Sequence, residues 1–475
     1  TRGSGCLRPG LHDFRSRQVS KSTSQPVLFE KAFPKPVHVA FDAEGQSSDG
    51  GLVLLAAADR RLGLTSRLAA RIHDGRASNC VTHSVADLFR QRVFSIAAGY
   101  EDCNDAKKLR FDPALAIACG KSVKGEPLAS QPSLSRFENS ITARDAVTMG
   151  YELEDVAVAQ LRSRRPKRSR RRRIVLDLDP SVDPAHGAQQ GVLFHGFYRT
   201  WCYLPVFGFI SFEGEPSQVL CTARLRPGTA RESRGAIPLL RRIIGKIRAA
   251  FGREQSILVR LDAGYCYPQI LEALDALRVQ YVVGMGSNPR LKARAERLLP
   301  ELRREAKRTG EPQRILSDED YRARHWHAAR RVITKAEVIP YPGRTTKDNP
   351  RHVVTNLRGR PENVYDLYCL RGDVENRIKE LKHDLQVDRT SCSRFVANQV
   401  RVLMTSAAHQ LYQEIRWRMR RRLGQAQVGR LMAMLIKVGA RVIESTRRVV
   451  VHLPTHYAFA RDWRAAARAL GARAG

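Results

Sequence analysis

Apolar positions recur at helical spacing through the first third of the chain. They do so in "ADLFRQRVFSIAAGY" (86–100), in "FDPALAIACG" (111–120) with its early proline, and in "PSLSRFENSITARDAVTMGYELEDVAVAQL" (132–161). From Ile174 the pattern changes to short apolar runs bounded by turn residues: "IVLDLD" (174–179), "YLPVFGFISF" (203–212) and "SQVLCTARLR" (217–226), the last two a hairpin around Gly214 and Pro216. An amphipathic helix at 233–251 follows, then a strand at 256–262, a helix at 268–278 and a strand at 280–286. This β-β-β-α-β-α-β order, closed by a helix at 368–385, predicts an α/β fold with a ribonuclease-H-like core. Between the last strand and that helix the sequence predicts a charged helix (290–308), a polar loop, and strands in "ARRVITKAEVIPY" (329–341) and "RHVVTNL" (351–357). The tail from Asp388 is predicted helical, with a hairpin at 440–453.

The expected organisation is a mainly helical region at 1–173 ending in a basic arm at 162–173, a first core segment at 174–286 and an inserted, partly β subdomain at 287–363. The core helix at 364–388 and a helical C-terminal region at 389–475 complete it. A chain of 475 residues supports several such parts without staples. Nine scattered cysteines form no C-x-x-C and no zinc spacing, which points to free thiols in a reducing compartment. No signal-like start and no apolar run of about 20 residues is read, so the expected setting is the cytoplasm, without a membrane partner.

Charge sharpens the picture. Lys and Arg number 82 against 47 Asp and Glu, a formal +35, which favours a polyanionic partner. The excess is concentrated in "RSRRPKRSRRRR" (162–173), "RWRMRRR" (416–422) and the last 15 residues. The first block, with Arg170, Arg171, Arg172 and Arg173, reads as a linker or an arm that tracks DNA phosphates.

Acidic residues at strand ends supply the candidate chemistry. Asp177 and Asp179 share a face of the first core strand, and Asp262 ends the fourth just before Ala263 and Gly264, where it also fits an Asx turn. In "YCLRGDVENRIKELK" (368–382), a helix at about 100° per residue gathers Tyr368, Arg371, Glu375 and Lys382 into a sector of about 60°, beside an apolar stripe of Val374, Ile378, Leu381 and Leu385. Glu375 with the two strand-end acids makes a set of carboxylates suited to Mg²⁺ or Mn²⁺. Two such ions about 4 Å apart clamp the attacking and leaving oxygens of a phosphodiester. "HWH" (325–327) lacks further ligands for zinc; Trp326 reads either as a core side chain or as a stacking platform for a displaced base.

The Y-x₂-R-x₃-E-x₆-K spacing of Tyr368, Arg371, Glu375 and Lys382 resembles the signature of a large group of bacterial DDE insertion-sequence transposases. "GYEDCNDAKKLRFDPA" (99–114), "LASQPSLSRFEN" (128–139), "LDLDPSVDPAHGAQQG" (176–191), "LRPG" (225–228) and "RTSCSRFVANQVR" (389–401) narrow the resemblance to the insertion sequence 1380 family. It implies cut-and-paste transposition with D-x-[TS] at Asp179, Pro180 and Ser181, a second acid at Asp262 and a third at Glu375, with Asp177 the rival for the first. It also implies two divalent ions, transposon-end and target DNA as partners, and a homodimer in the DNA complex. Tyr368, Arg371 and Lys382 would hold end phosphates, and Trp326 a displaced base. Ser181 stands where the family usually has Thr, and Ala263, Gly264 and Tyr265 where it usually has Ser-Gly-Phe.

Overall fold

The computed structural model describes residues 27–30, 33–165, 172–231, 233–341 and 345–473. The described residues up to Gln46 form one compact unit, in which Val27–Phe29 pairs antiparallel with Val37–Val39. The unit from Ser47 onward holds everything else described below.

That unit is built on a mixed sheet of nine strands. In chain order its main strands are β1 (Ile174–Pro180), β2 (Val206–Phe212), β3 (Val219–Arg224), β4 (Ile257–Leu261), β5 (Gln280–Met285), β6 (Gln313–Tyr321), β7 (Arg330–Ile339) and β8 (Arg351–Thr355). They lie in the order β3-β2-β1-β4-β5-β8-β7-β6, with β1, β4 and β5 mutually parallel and the other pairings antiparallel. The strands from 313 to 355 therefore continue the same sheet beyond β5. The polar loop expected before residue 329 is in fact β6. It runs along the sheet edge with its polar side chains half-exposed, so no alternation of apolar residues betrays it.

Helices cover both faces. The sequence sets their limits: Thr142 and Asp145 form a reciprocal capping box at the start of α1 (Ala143–Ser163). Apolar residues of α2 (Ala236–Phe251) at 236, 239, 240, 243, 244 and 247 form one buried stripe. That stripe packs on Ile174, Leu176 and Leu178 of β1. The alternate β1 residues face the other way, where Val175 meets Val364 and Tyr365 of α3 (Pro361–Cys369). Asp177 and Asp179 thus share the α3 face, as their spacing predicts. A long helix, α5 (Phe395–Arg418), is buried almost all round and joins the helices of 52–163 in a second core.

The segment 368–385 departs from the regular helix assumed for it. After α3 comes a 3₁₀ turn at Leu370–Gly372, then α4 (Asp373–Lys379), then a π-helical turn at Glu380–Asp384. The apolar stripe survives: Val374, Ile378, Leu381 and Leu385 are all buried. The uniform 100° wheel does not, because the tighter and wider turns rotate side chains on either side of Glu375.

Candidate active site

Strand register brings two acids together. Leu261 of β4 lies beside Leu178 of parallel β1, so the next residue on each strand, Asp262 and Asp179, are neighbours at the carboxyl end of the sheet. Adjacent strands stand about 4.8 Å apart. Asp262 closes the Asx turn read from the sequence, accepting the Gly264 N–H at 3.0 Å as the chain enters a 3₁₀ turn at Ala263–Tyr265.

Asp179 is largely buried and receives one hydrogen bond from Arg371 Nη1, 2.8 Å from its Oδ1. Its carboxyl is pushed up to about 7, first by burial and further by the charges of Asp262 and Glu375, against the opposing pull of Arg371. Asp179, Asp262 and Glu375 thus interact electrostatically. Glu375 itself lies exposed on α4.

Asp177 sits one pleat back and is fully buried. Its oxygens take a two-pronged bond from Arg260, at 2.7 and 2.8 Å, from the residue opposite it on β4. Gln218 adds a bond at 3.3 Å, and Arg260 also donates to the Leu367 carbonyl on α3 at 3.0 Å. The Asp177–Arg260 pair was not legible beforehand; its signal, a lone Arg inside the apolar strand "SILVRLD", becomes readable only with the register.

The other signature residues converge on the same end. Tyr368 brings its hydroxyl so close to Gly284 of β5 that a Cβ there would stand 2.5 Å from it, and its ring lies 5.8 Å from the Arg371 guanidinium. Lys382 donates to the Val182 carbonyl at 2.5 Å, tying the π turn to the loop after β1. Asp183 in that loop, unremarked in the sequence, is buried and held by Thr390 at 3.0 Å.

The remaining described candidates, Arg172, Arg173 and Trp326, are not brought to this end. Arg172 and Arg173 pair with Glu215 and Glu213 at the opposite end of β1, while Arg170 and Arg171 lie outside the described residues. Trp326 is 6 % exposed, edge-on to Tyr321 in the core, so neither ring face is open to a base. The exposed rings near the acidic end are instead Phe194, Phe197 and Trp201, on the ribbon that follows β1.

The donor set is all carboxylate, which suits a hard divalent cation. Burial, and to a lesser degree the charges of Asp262 and Glu375, disfavour the ionised Asp179, and a bound cation would offset both. Among the described residues no three acid, His or Cys side chains converge to ligand distance; Arg371 holds Asp179 in this conformation.

The chain matches the family described as Transposase DDE domain group 1 over residues 29–473, and it belongs to that family. DDE domains of this kind generally work with divalent metal ions. Among solved structures, a cryo-EM structure of the piggyBac transposase synaptic complex with hairpin DNA is similar at 11 % identity and a TM-score of 0.37, over 77 % of this chain and 74 % of that one. At that level no residue correspondence follows. No curated protein matches the chain. No helix among the described residues is long and apolar enough to cross a membrane.

Proposed function

We propose that this chain is a transposase of the insertion sequence 1380 family, cutting transposon ends and joining them to target DNA from a ribonuclease-H-like core of β1 to β5. The observation that carries the reading is the parallel register that sets Asp262 beside Asp179, facing the segment that bears Glu375 and Arg371. The strand order β3-β2-β1-β4-β5, with β2 antiparallel, supports the core assignment.

Asp179, Asp262 and Glu375 would hold the divalent ions, Mg²⁺ or Mn²⁺ and two in number. When bound, these ions supply an activated water and charge neutralisation at the scissile phosphate. Asp179 must be deprotonated for this, and its elevated pKa sets it near neutrality. Arg371 reaches Asp179 through a single hydrogen bond, so the guanidinium can exchange that carboxylate for a phosphate oxygen of the incoming end. Tyr368 packs beside Arg371 and orients it, and Lys382 fixes the loop after β1 from below. Asp177, saturated by Arg260, serves the sheet rather than the ions.

The test is a strand-joining assay. The full-length protein, Mg²⁺ and a duplex carrying the inverted repeats that flank its gene should yield nicks at the repeat boundary and labelled 3′ ends joined to a plasmid. Cleavage without joining would reduce the protein to a nuclease of the same fold. Binding without cleavage at any Mg²⁺ or Mn²⁺ concentration would make it an inactive DNA-binding relic.

A further inference from the structure

Described residues of the two basic blocks singled out in the sequence meet in space, Arg164 against Trp417, at the far end of the sheet from Asp179. Phe212 pairs with Ile174 at the start of β1, five residues or about 16 Å along the strand from Asp179, and the turn carrying Glu215 and Ser217 follows Phe212 at that far end. Against that turn packs the carboxyl end of α5, enclosing a cavity of about 740 Å³. Its lining includes Arg416, Trp417, Arg420, Arg421 and Arg430, and the acid Glu215, already paired with Arg172.

The site is built. Trp417 is flanked by two guanidinium groups, Arg164 at 5.0 Å and Arg420 at 4.3 Å from its ring, which fixes Arg420 at the rim. Arg416 is 1 % exposed; its Nε and Nη2 are bonded to the Ala426 carbonyl and Glu380, while its Nη1 has no partner. Among the described residues, Arg420, Arg421 and Arg430 have no carboxylate within ion-pair distance. A concave surface with three arginines that make no ion pair among the described residues is suited to phosphate oxygens.

We propose that this cavity is a second backbone-phosphate site for duplex DNA, remote from the cleavage centre. It rests on the reading of the chain as a DNA-processing enzyme, but it needs only binding and not cleavage. The length of β1 between the two ends, about 16 Å, already corresponds to roughly five base pairs, so the site calls for a duplex longer than that to engage both ends of the sheet.

The test measures affinity of the full-length protein for a 40-base-pair duplex across a KCl series. It compares wild type with Arg420→Glu/Arg421→Glu/Arg430→Glu. A charge-matched control changes Arg441, Arg447 and Arg448, exposed on the hairpin at 440–452 and outside the cavity lining, to Glu. The site variant should bind at least tenfold more weakly, and its slope of log affinity against log salt should fall by about 2 to 3, while the control keeps the wild-type slope. Equal loss in both triples means net charge alone and overturns the proposal, as does an unchanged site variant. Titration with inorganic pyrophosphate separates the sources. Tight binding lost in the site variant, with duplex affinity intact, would make this a small-phosphate site and overturn the assignment to DNA. Failure of the functional reading looks different: the duplex binds with the expected slope and is never cut.

Discussion

Two aspartate–arginine pairs lie one pleat apart on the same face of β1, and they are not equivalent. Asp177 and Arg260 sit opposite each other on paired strands, both buried, joined by two hydrogen bonds and braced by Gln218 and Leu367. Asp179 and Arg371 meet across a strand end and a 3₁₀ turn, joined by one. A buried pair with every oxygen satisfied cannot part without stranding a charge, so it holds the sheet together. A singly bonded pair at the edge, with two more carboxylates beside it, can change partners. On the proposed function, two residues of sequence separate a structural carboxylate from a chemical one.

The largest effect is expected where the inner pair is broken. Arg260→Ala leaves Asp177 buried without its cation and should lower stability by about 3 to 5 kcal/mol in chemical denaturation. Asp179→Asn should leave the midpoint unchanged or raised. A similar loss for both would erase the distinction.

Asp183 sharpens the comparison as a buried aspartate with Thr390 in place of a cation. Burial first, with the charge of Asp388, pushes its carboxyl up to about 7, opposed by Thr390 and Lys382. Because the folded value lies above the ordinary 3.8, the neutral form is favoured in the fold. Its contribution is fully present below about pH 4 and is lost as pH rises to about 7. Thermal melts should show wild type falling behind Asp183→Asn across that window, by up to about 4 kcal/mol at pH 8. Parallel pH curves for the two proteins would contradict it.

Gly284→Ala probes the seat of Tyr368. The new methyl meets the Tyr368 hydroxyl and the Ala263 amide, so the strand should lose about 1 to 3 kcal/mol. End cleavage should drop with it through the displaced Arg371, and Tyr368→Phe in the same background should restore part of both. The smallest effect is expected from Arg371→Lys, which keeps a charge near Asp179 but loses the planar fork. Binding of end DNA should weaken by about tenfold with an unchanged melting temperature.

The local features were legible in the sequence and the long-range ones were not. The apolar stripe Val374, Ile378, Leu381 and Leu385 and the Asx turn at Asp262 follow from spacing and turn chemistry alone, and both are present. The irregular turns flanking α4 leave no mark in residue type, so the regular wheel drawn through 368–385 is interrupted on both sides of Glu375. The edge strand β6 was hidden by polar side chains whose pairing partner lies beyond a turn of its own. The role of Asp177 depends on Arg260, 83 positions away, and the cationic cavity on blocks more than 240 positions apart. Such meetings are set by tertiary register, which periodicity does not encode.

Single-turnover cleavage of a duplex bearing the flanking inverted repeats, by Asp179→Asn protein at pH 8 with Mg²⁺, tests the central claim most directly. The account predicts wild-type binding of the duplex, a melting temperature no lower than wild type, and no nicked product, with Asp262→Asn behaving alike. Cleavage by Asp179→Asn at the wild-type rate would contradict it.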